Sequence, residues 1–310
     1  MTNIIRVFPK RTSYTPDDDY VFIGLPPLRE YIPEHKEVHV SCTFTWDKAE
    51  CEELAHQWRG ATDKPVKLGG LAYGSPAEGF MQGMYIHKKF VFTTRGCNNK
   101  CPHCVVWKME GKLRELPICE GNNIQDNNFL QASRAHKDKV FAMLRTQKAI
   151  CFKGGLQADL IDDHFVGNIT NLRISELWLA CDSDTALPGF KRAARKLSKA
   201  GFNREKIKCY ALIGDDMDKN EARLREIYES GAMPFAMLYR DFTDKKTEYS
   251  KDFQRFARQW QRPAAINAHM KNGTSYKDFQ YLRREAKPEA VKEENHLGHG
   301  LRYRCSSSAR

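Results

Sequence analysis

The chain of 310 residues has no run of about 18 apolar residues, so it offers no segment that would cross a bilayer as a helix. Its opening, Met1-Thr2-Asn3-Ile4-Ile5-Arg6, lacks the long apolar stretch of a secretory signal, and the expectation is a cytoplasmic protein. Gly69-Gly70 with Gly74 falls short of a G-x-G-x-x-G fingerprint, which leaves dinucleotide binding little support. No repeat is evident beyond an alternation of strand and helix patterns. A shortage of apolar residues, the mark of wholesale disorder, is also missing: 41% are hydrophobic and 29% charged. A full core can therefore be buried, in about two domains or in one large α/β barrel with an extension.

Cysteine and positive charge are plentiful. Ten cysteines are many for a cytoplasmic chain, where thiols more often bind metal or react than pair as disulfides. Fifty Lys and Arg against 39 Asp and Glu leave a net charge of +11. That excess fits either an anionic partner or a soluble surface.

Residues 1–85 read as a small Rossmann-like α/β unit. Val38 to Ser41 is a strand, Asp47 to Trp58 a helix capped by Asp47, and Pro65 to Leu71 a second strand ending in glycines. Pro76 to Gly83 is turn-rich and reads as a linker. From residue 89 strands and helices alternate. Strands are expected at Phe90–Thr94, Ala149–Phe152, Leu177–Ala180, Cys209–Gly214 and Pro234–Tyr239. Helices are expected over Asn128–Gln147, Phe190–Ala200 and Asn220–Ser230. This spacing predicts parallel strands with crossover helices, a full or partial (β/α) barrel over 86–243. Residues 244–310 form a basic extension, helical at first, with a weakly ordered tail from about Pro288.

The most specific pattern is Cys97-Asn98-Asn99-Lys100-Cys101-Pro102-His103-Cys104, a C-x3-C-x2-C directly after the strand at 90–94. Three thiolates this close can hold three corners of an iron–sulfur cubane and leave one iron open, as an active metal site requires. The competing readings are a zinc site, a Cys101/Cys104 redox pair or a reduced loop. Zinc needs a fourth ligand, and His103 between two cysteines is poorly placed to close the same tetrahedron. A redox C-x-x-C needs no third cysteine. Spacing and strand-end position favour the cluster.

Thr94-Arg95-Gly96-Cys97 through Cys104 resembles the cluster loop of the radical S-adenosylmethionine (radical SAM) superfamily, with His103 where an aromatic ring is usual. Gly154-Gly155-Leu156-Gln157, after the next predicted strand, is similar to that family's Gly-Gly motif; by itself the pair would be a turn. The resemblance covers about residues 86–240. Gly111–Glu115, Asp126–Leu130 and Gly154–Leu160 resemble the branch that includes methylthiotransferases and members with a cobalamin-like N-terminal domain, of which residues 1–85 would be a reduced version. Asp162-Asp163-His164-Phe165-Val166-Gly167 matches the D-x-H-x-x-G cobalamin pattern, but it lies inside the barrel region and reads as accidental, with His164 on a helix surface. Only Cys42 and Cys51 precede the barrel, too few for a second cluster of the methylthiotransferase kind.

The resemblance implies that Cys97, Cys101 and Cys104 ligate a 4Fe-4S cluster whose fourth iron chelates S-adenosylmethionine. It implies a 5′-deoxyadenosyl radical that takes hydrogen from substrate, and an electron donor of the flavodoxin or ferredoxin type. His103, Gly154 and Gly155 would contact S-adenosylmethionine. Asp182, just past the Leu177–Ala180 strand, would meet its ribose hydroxyls; capping the helix that follows is the competing role. Weaker candidates are Arg240 for a carboxylate, Asp215 and Asp216 at another strand end, and Asp126-Asn127-Asn128 as orienting or capping groups. Cys151, Cys181 and Cys209 read as packed thiols, and Cys119 as a loop thiol near the cluster. His296, His299 and Cys305 are a weak metal signal in the tail.

The charge is uneven. Residues 191–208 carry eight basic side chains against Glu205, and residues 245–310 carry 15 basic against seven acidic. These two segments hold +7 and +8 and leave −4 for the rest. Phe253, Phe256, Trp260, Tyr276, Phe279, Tyr281 and Tyr303 are interleaved with the second set, a composition that suits phosphates and stacked bases. A nucleic acid or nucleotide is therefore the leading specific substrate. A peptide or small metabolite, and a non-catalytic iron–sulfur protein that binds nucleic acid, are the alternatives; a solvated helical cap is the plain structural reading.

Overall fold

The computed structural model describes residues 3–73, 83–214, 216–239 and 248–278. Near the N-terminus come β1 (Ile4–Phe8), β2 (Val21–Ile23), β3 (Glu37–Ser41), α1 (Lys48–Ala61) and β4 (Val66–Gly69). The strands form one parallel sheet in the order β2-β1-β3-β4. Helix α1 presents Cys51, Leu54, Ala55 and Trp58, one stripe at helical spacing, to Ile5, Val7, Val38, Val40 and Cys42. Strands β3 and β4 and helix α1 lie where the sequence predicts them, and β1 and β2 are additional. Asp47 makes no capping hydrogen bond to α1 and instead accepts one from Lys10 at 3.3 Å.

The following elements are β5 (Phe90–Val91), β6 (Thr94–Arg95), α2 (Val106–Met109), β7 (Arg114–Glu115), β8 (Asn123–Ile124) and α3 (Arg134–Leu144). After them come β9 (Ile150–Gln157), α4 (Asp163–Ile169), β10 (Ile174–Ala180), α5 (Leu187–Lys199), β11 (Ile207–Ile213), α6 (Met217–Glu229) and β12 (Met233–Leu238). Strands β5, β8, β9, β10, β11 and β12 lie side by side in chain order, every pair parallel. Chain order with helical crossovers is the arrangement the alternation predicts. Strands β6 and β7 form a separate antiparallel pair.

One face of the six-stranded sheet is covered. Phe152, Leu156, Leu177, Leu179 and Ala211 pack there with Phe141, Phe165, Phe190, Leu197 and Leu224 from α3 to α6. The opposite face carries half-buried Trp178, Tyr210 and Phe235, with the Trp178 and Tyr210 rings stacked at 4.4 Å. Helix α3 begins at Arg134 rather than 128, because Ser133 accepts the capping hydrogen bond from the His136 N–H. Helix α6 begins at Met217, capped by Asp216. No helix among the described residues is long and apolar enough to cross a membrane.

The last described segment, α7 (Lys251–Gln259) and α8 (Pro263–Asn272), is fastened to the sheet. Phe253, Phe256 and Trp260 are buried in the same core, and the Ala236 N–H donates to the Trp260 carbonyl at 3.1 Å. Glu221 on α6 accepts from His269 at 2.8 Å, Arg225 at 3.0 Å and the Tyr276 N–H at 3.1 Å. Burial pushes the Glu221 carboxyl up, but the hydrogen bonds from His269 and Arg225 outweigh it and hold it below its usual 4.5. Such a carboxylate adds stability above its unfolded value that is lost as pH falls through the folded one. Helices α7 and α8 should therefore loosen in acid, which the fluorescence of Trp260, edge-on to His269 at 5.2 Å, would record. Glu221→Ala should cost about 3 kcal/mol at neutral pH by strand-ing two buried donors; an unchanged urea midpoint would contradict this arrangement.

Candidate functional site

All six strands run the same way, so their C-terminal ends share one edge, where ligand sites of α/β sheets form. The Cys97–Cys104 loop leaves this edge between β6 and α2. Gly96 opens it with φ +81°, and a Cβ there would come 2.8 Å from the Lys112 carbonyl carbon. Only glycine fits that approach and that conformation. The Gly96 N–H donates to Asn127 Oδ1 at 3.0 Å and to Glu110 Oε2 at 3.1 Å, while Glu110 Oε1 pairs with Arg95 at 2.9 Å. The Cys97 N–H donates to the Gly111 carbonyl at 3.1 Å, the Cys104 N–H to the Cys101 carbonyl at 3.1 Å, and Trp107 Nε1 to that same carbonyl at 3.2 Å. The loop is thus fixed at both ends and in its middle.

Its three thiols are free and partly exposed. Burial pushes the Cys101 thiol up, and nearby Cys104 and Cys97 push it further. Among the described residues no three His, Cys, Asp or Glu side chains close on a point as they would around a single ion. In a cubane each thiolate takes a different iron, so the sulfurs need not converge on one point.

The glycine pair lies inside β9, not past its end as the sequence reading had it. Pairing with β10 runs through Cys151 and Phe152, skips, and resumes at Leu156 and Gln157. Gly154 and Gly155 are the bulge between, Gly155 with φ +99°. A Cβ on Gly154 would be driven into the backbone of Asp126, 2.7 Å from its carbonyl carbon. Asp126 is in turn buried and clamps the end of β5: its carboxylate accepts from the Thr93 N–H at 2.6 Å and the Thr93 hydroxyl at 2.5 Å. Burial raises its carboxyl above the ordinary range against those hydrogen bonds. His136 on α3 takes up the Thr93 carbonyl at 2.9 Å. Asp126 and Asn127 are therefore loop anchors, and neither caps a helix.

Past the bulge, Gln157 Oε1 accepts from Asn99 Nδ2 at 2.9 Å, Asn128 Nδ2 at 2.9 Å and Gln131 Nε2 at 3.3 Å. Gln131 also donates to Asn99 Oδ1 at 3.1 Å and accepts from the Asn98 N–H at 2.8 Å. This amide cluster ties the cysteine loop to β9. The glycine motif includes Gln157 but gives no sign of this role, and nothing in the sequence singles out Asn99 or Gln131.

His103 and Asp182, expected separately, are brought together: His103 Nε2 lies 3.7 Å from Asp182 Oδ2, both side chains about one-third exposed. Asp182 Oδ1 accepts the Leu212 N–H at 2.9 Å, joining the ends of β10 and β11. It caps no helix, since α5 starts after Ala186 and the short turn before it after Ser183. It lies two residues past the end of β10, whose Glu176, Trp178 and Ala180 face away from the helices.

Other candidates separate from this site. His164 sits on α4, bonded to Asp138 at 2.6 Å, and Asp162 caps that helix, so the D-x-H-x-x-G string is a helix start. Cys181 and Cys209 are buried, Cys151 is half-buried rather than packed away, and Cys119 is exposed. Asp215, Arg240, His296, His299 and Cys305 lie outside the described residues, as do Phe279, Tyr281, Tyr303 and most of the 76–83 linker. The basic stretch is partly neutralised: Lys191, Arg192 and Lys196 pair with Glu226, Asp159 and Asp163. Phe253, Phe256, Trp260 and Tyr276 are buried in the core and present no faces to bases, a correction to the stacking surface their interleaving suggested.

A solved structure shares this fold. The radical S-adenosylmethionine methyltransferase TsrM from Kitasatospora setae, with cobalamin and a [4Fe-4S] cluster bound, superposes with a TM-score of 0.55 at 11% sequence identity. The match covers 77% of this chain and 75% of that one. No protein-family model and no curated protein sequence matches the chain.

Proposed function

We propose that this chain is a radical SAM enzyme. The observation that carries the reading is the three-thiol loop at the C-terminal edge of a parallel sheet, locked to a glycine bulge two strands away. In this reading Cys97, Cys101 and Cys104 hold a 4Fe-4S cluster, and Gly154, Gly155, His103 and Asp182 border the place for S-adenosylmethionine. When bound, these groups supply one-electron cleavage of a carbon–sulfur bond and a carbon radical able to take hydrogen from a substrate. The chain's own part is positional. Asp126 and Gly154 set the distance between the first and third strands of the large sheet, Gln157 holds the loop, and Asp182, fixed by the Leu212 N–H, turns its second oxygen toward His103.

The six strands in chain order support a partial (β/α) barrel over 86–243, preceded by a small domain over 1–85 and followed by the extension over 244–310. The TsrM likeness supports the same reading of fold, and an electron donor of the flavodoxin or ferredoxin type belongs to it. The D-x-H-x-x-G string lends cobalamin no support, because it is a capped helix start with His164 bonded to Asp138.

The test is anaerobic reconstitution, reduction with dithionite in the presence of S-adenosylmethionine, and chromatography for 5′-deoxyadenosine. Product well above a cluster-free control is expected, and none from an intact, reduced cluster would sink the reading. For substrate, a nucleic acid or nucleotide rests on the excess of basic side chains in residues 191–208 and 245–310. RNA or DNA affinity should then fall steeply with added salt; binding that ignores salt would shift the choice to a peptide or small metabolite.

A further inference from the structure

We infer that Asn128, oriented by Gln157, raises the reduction potential of the cluster by donating a hydrogen bond to the Cys97 sulfur. The inference rests on the cluster assignment above. Asn128 is 4% exposed and its Nδ2 carries two hydrogens. One goes to Gln157 Oε1 at 2.9 Å, which leaves the other for Cys97 Sγ at 4.0 Å. The Asn99 backbone N–H reaches the same sulfur at 3.4 Å, and the Asn99 side chain is held by the same Gln157 oxygen.

The orientation has a cost that points to its purpose. Asn128 Oδ1 is buried and has no hydrogen-bond partner among the described residues, an unfavourable state for an acceptor. Turning the amide over would set Oδ1 against Gln157 Oε1, two acceptors face to face, and would withdraw the donor from sulfur. Gln157 therefore dictates that a donor, not an acceptor, faces Cys97. It is a positioning residue acting through Asn128 and Asn99.

Reduction adds one electron, and its negative charge is shared with the ligating sulfurs. N–H donors to those sulfurs stabilise the reduced form more than the oxidised form and so raise the potential. The experiment is an EPR-monitored redox titration of the reconstituted protein, with one electron per cluster supplied by dithionite, which is oxidised. Asn128→Leu, similar in volume but without a donor, should lower the ratio of reduced to oxidised cluster at fixed potential about tenfold, equivalent to about 59 mV for one electron. Asn128→Asp should lower it further by adding charge, and Gln157→Leu should lower it less, because the donor stays but is no longer aimed. Iron content reports loading independently. Wild-type potentials in loaded Asn128→Leu and Gln157→Leu would overturn the inference. Loss of the cluster from all three variants while the wild type keeps it would also overturn it, in favour of a purely structural role. A wild type that takes up no cluster would instead refute the assignment beneath it.

Discussion

Cys101→Ala should leave the chain folded but unable to carry a 4Fe-4S cluster. Cys101 is only partly buried, so loss of its sulfur should alter stability by less than about 1 kcal/mol. Its effect on iron should be close to complete. The loop supplies three thiolates for a cubane, and among the described residues no other thiol in it can replace the middle one. Anaerobic reconstitution should give the brown visible absorbance with wild type and almost none with the variant, and 5′-deoxyadenosine formation should fall to the cluster-free background. Cys119→Ala and Cys151→Ala, made beside it, should keep both. A full iron complement on Cys101→Ala would mean that the ligand set has been misassigned.

Gly154→Ala should be the most damaging single-methyl addition in the large sheet. The new Cβ has no rotamer by which to escape, and the atoms it meets are backbone: the Asp126 carbonyl carbon at 2.7 Å and the Asp126 nitrogen at 2.8 Å. Relief requires β9 to move away from the segment after β8 that carries Asp126, which would pull its carboxylate off Thr93 and Gln157 off the cysteine loop. A loss above about 4 kcal/mol is expected, beyond ordinary overpacking. Gly155→Ala provides the contrast. Nothing lies within 4 Å of a Cβ there, so only its φ of +99° opposes the change, at about 1–3 kcal/mol. Urea unfolding of both would rank them, and equal losses would show that the close approach to Asp126 is not the reason for the first glycine.

What the sequence revealed was local in origin. The cysteine spacing, the glycine pair and the strand–helix alternation each depend on residues near in the chain, and the structure carries all three on one edge. Errors arose where a distant partner decided the outcome. Strand β9 continues through two glycines because β8 and β10 flank it. Asp126-Asn127-Asn128 resembles a helix start, yet Thr93, Gly96 and Gln157 claim the three side chains. The basic run 191–208 looks like an anion-binding stripe until Asp159, Asp163 and Glu226 fold against it from other elements. Strands β1 and β2 were missed because the chain between them is long and polar and β2 spans only Val21–Ile23.

The cluster of Asn99, Asn128, Gln131 and Gln157 is made of neutral amides alone. Amides neither gain nor lose protons over the ordinary pH range, so this fastening holds its charge state in acid and base alike. A charge that appears beside it meets dipoles already aimed and locked to one another, and little has to turn in response. For a loop whose proposed duty is to receive an electron, that stiffness means a small reorganisation energy, which favours fast transfer without any change of shape.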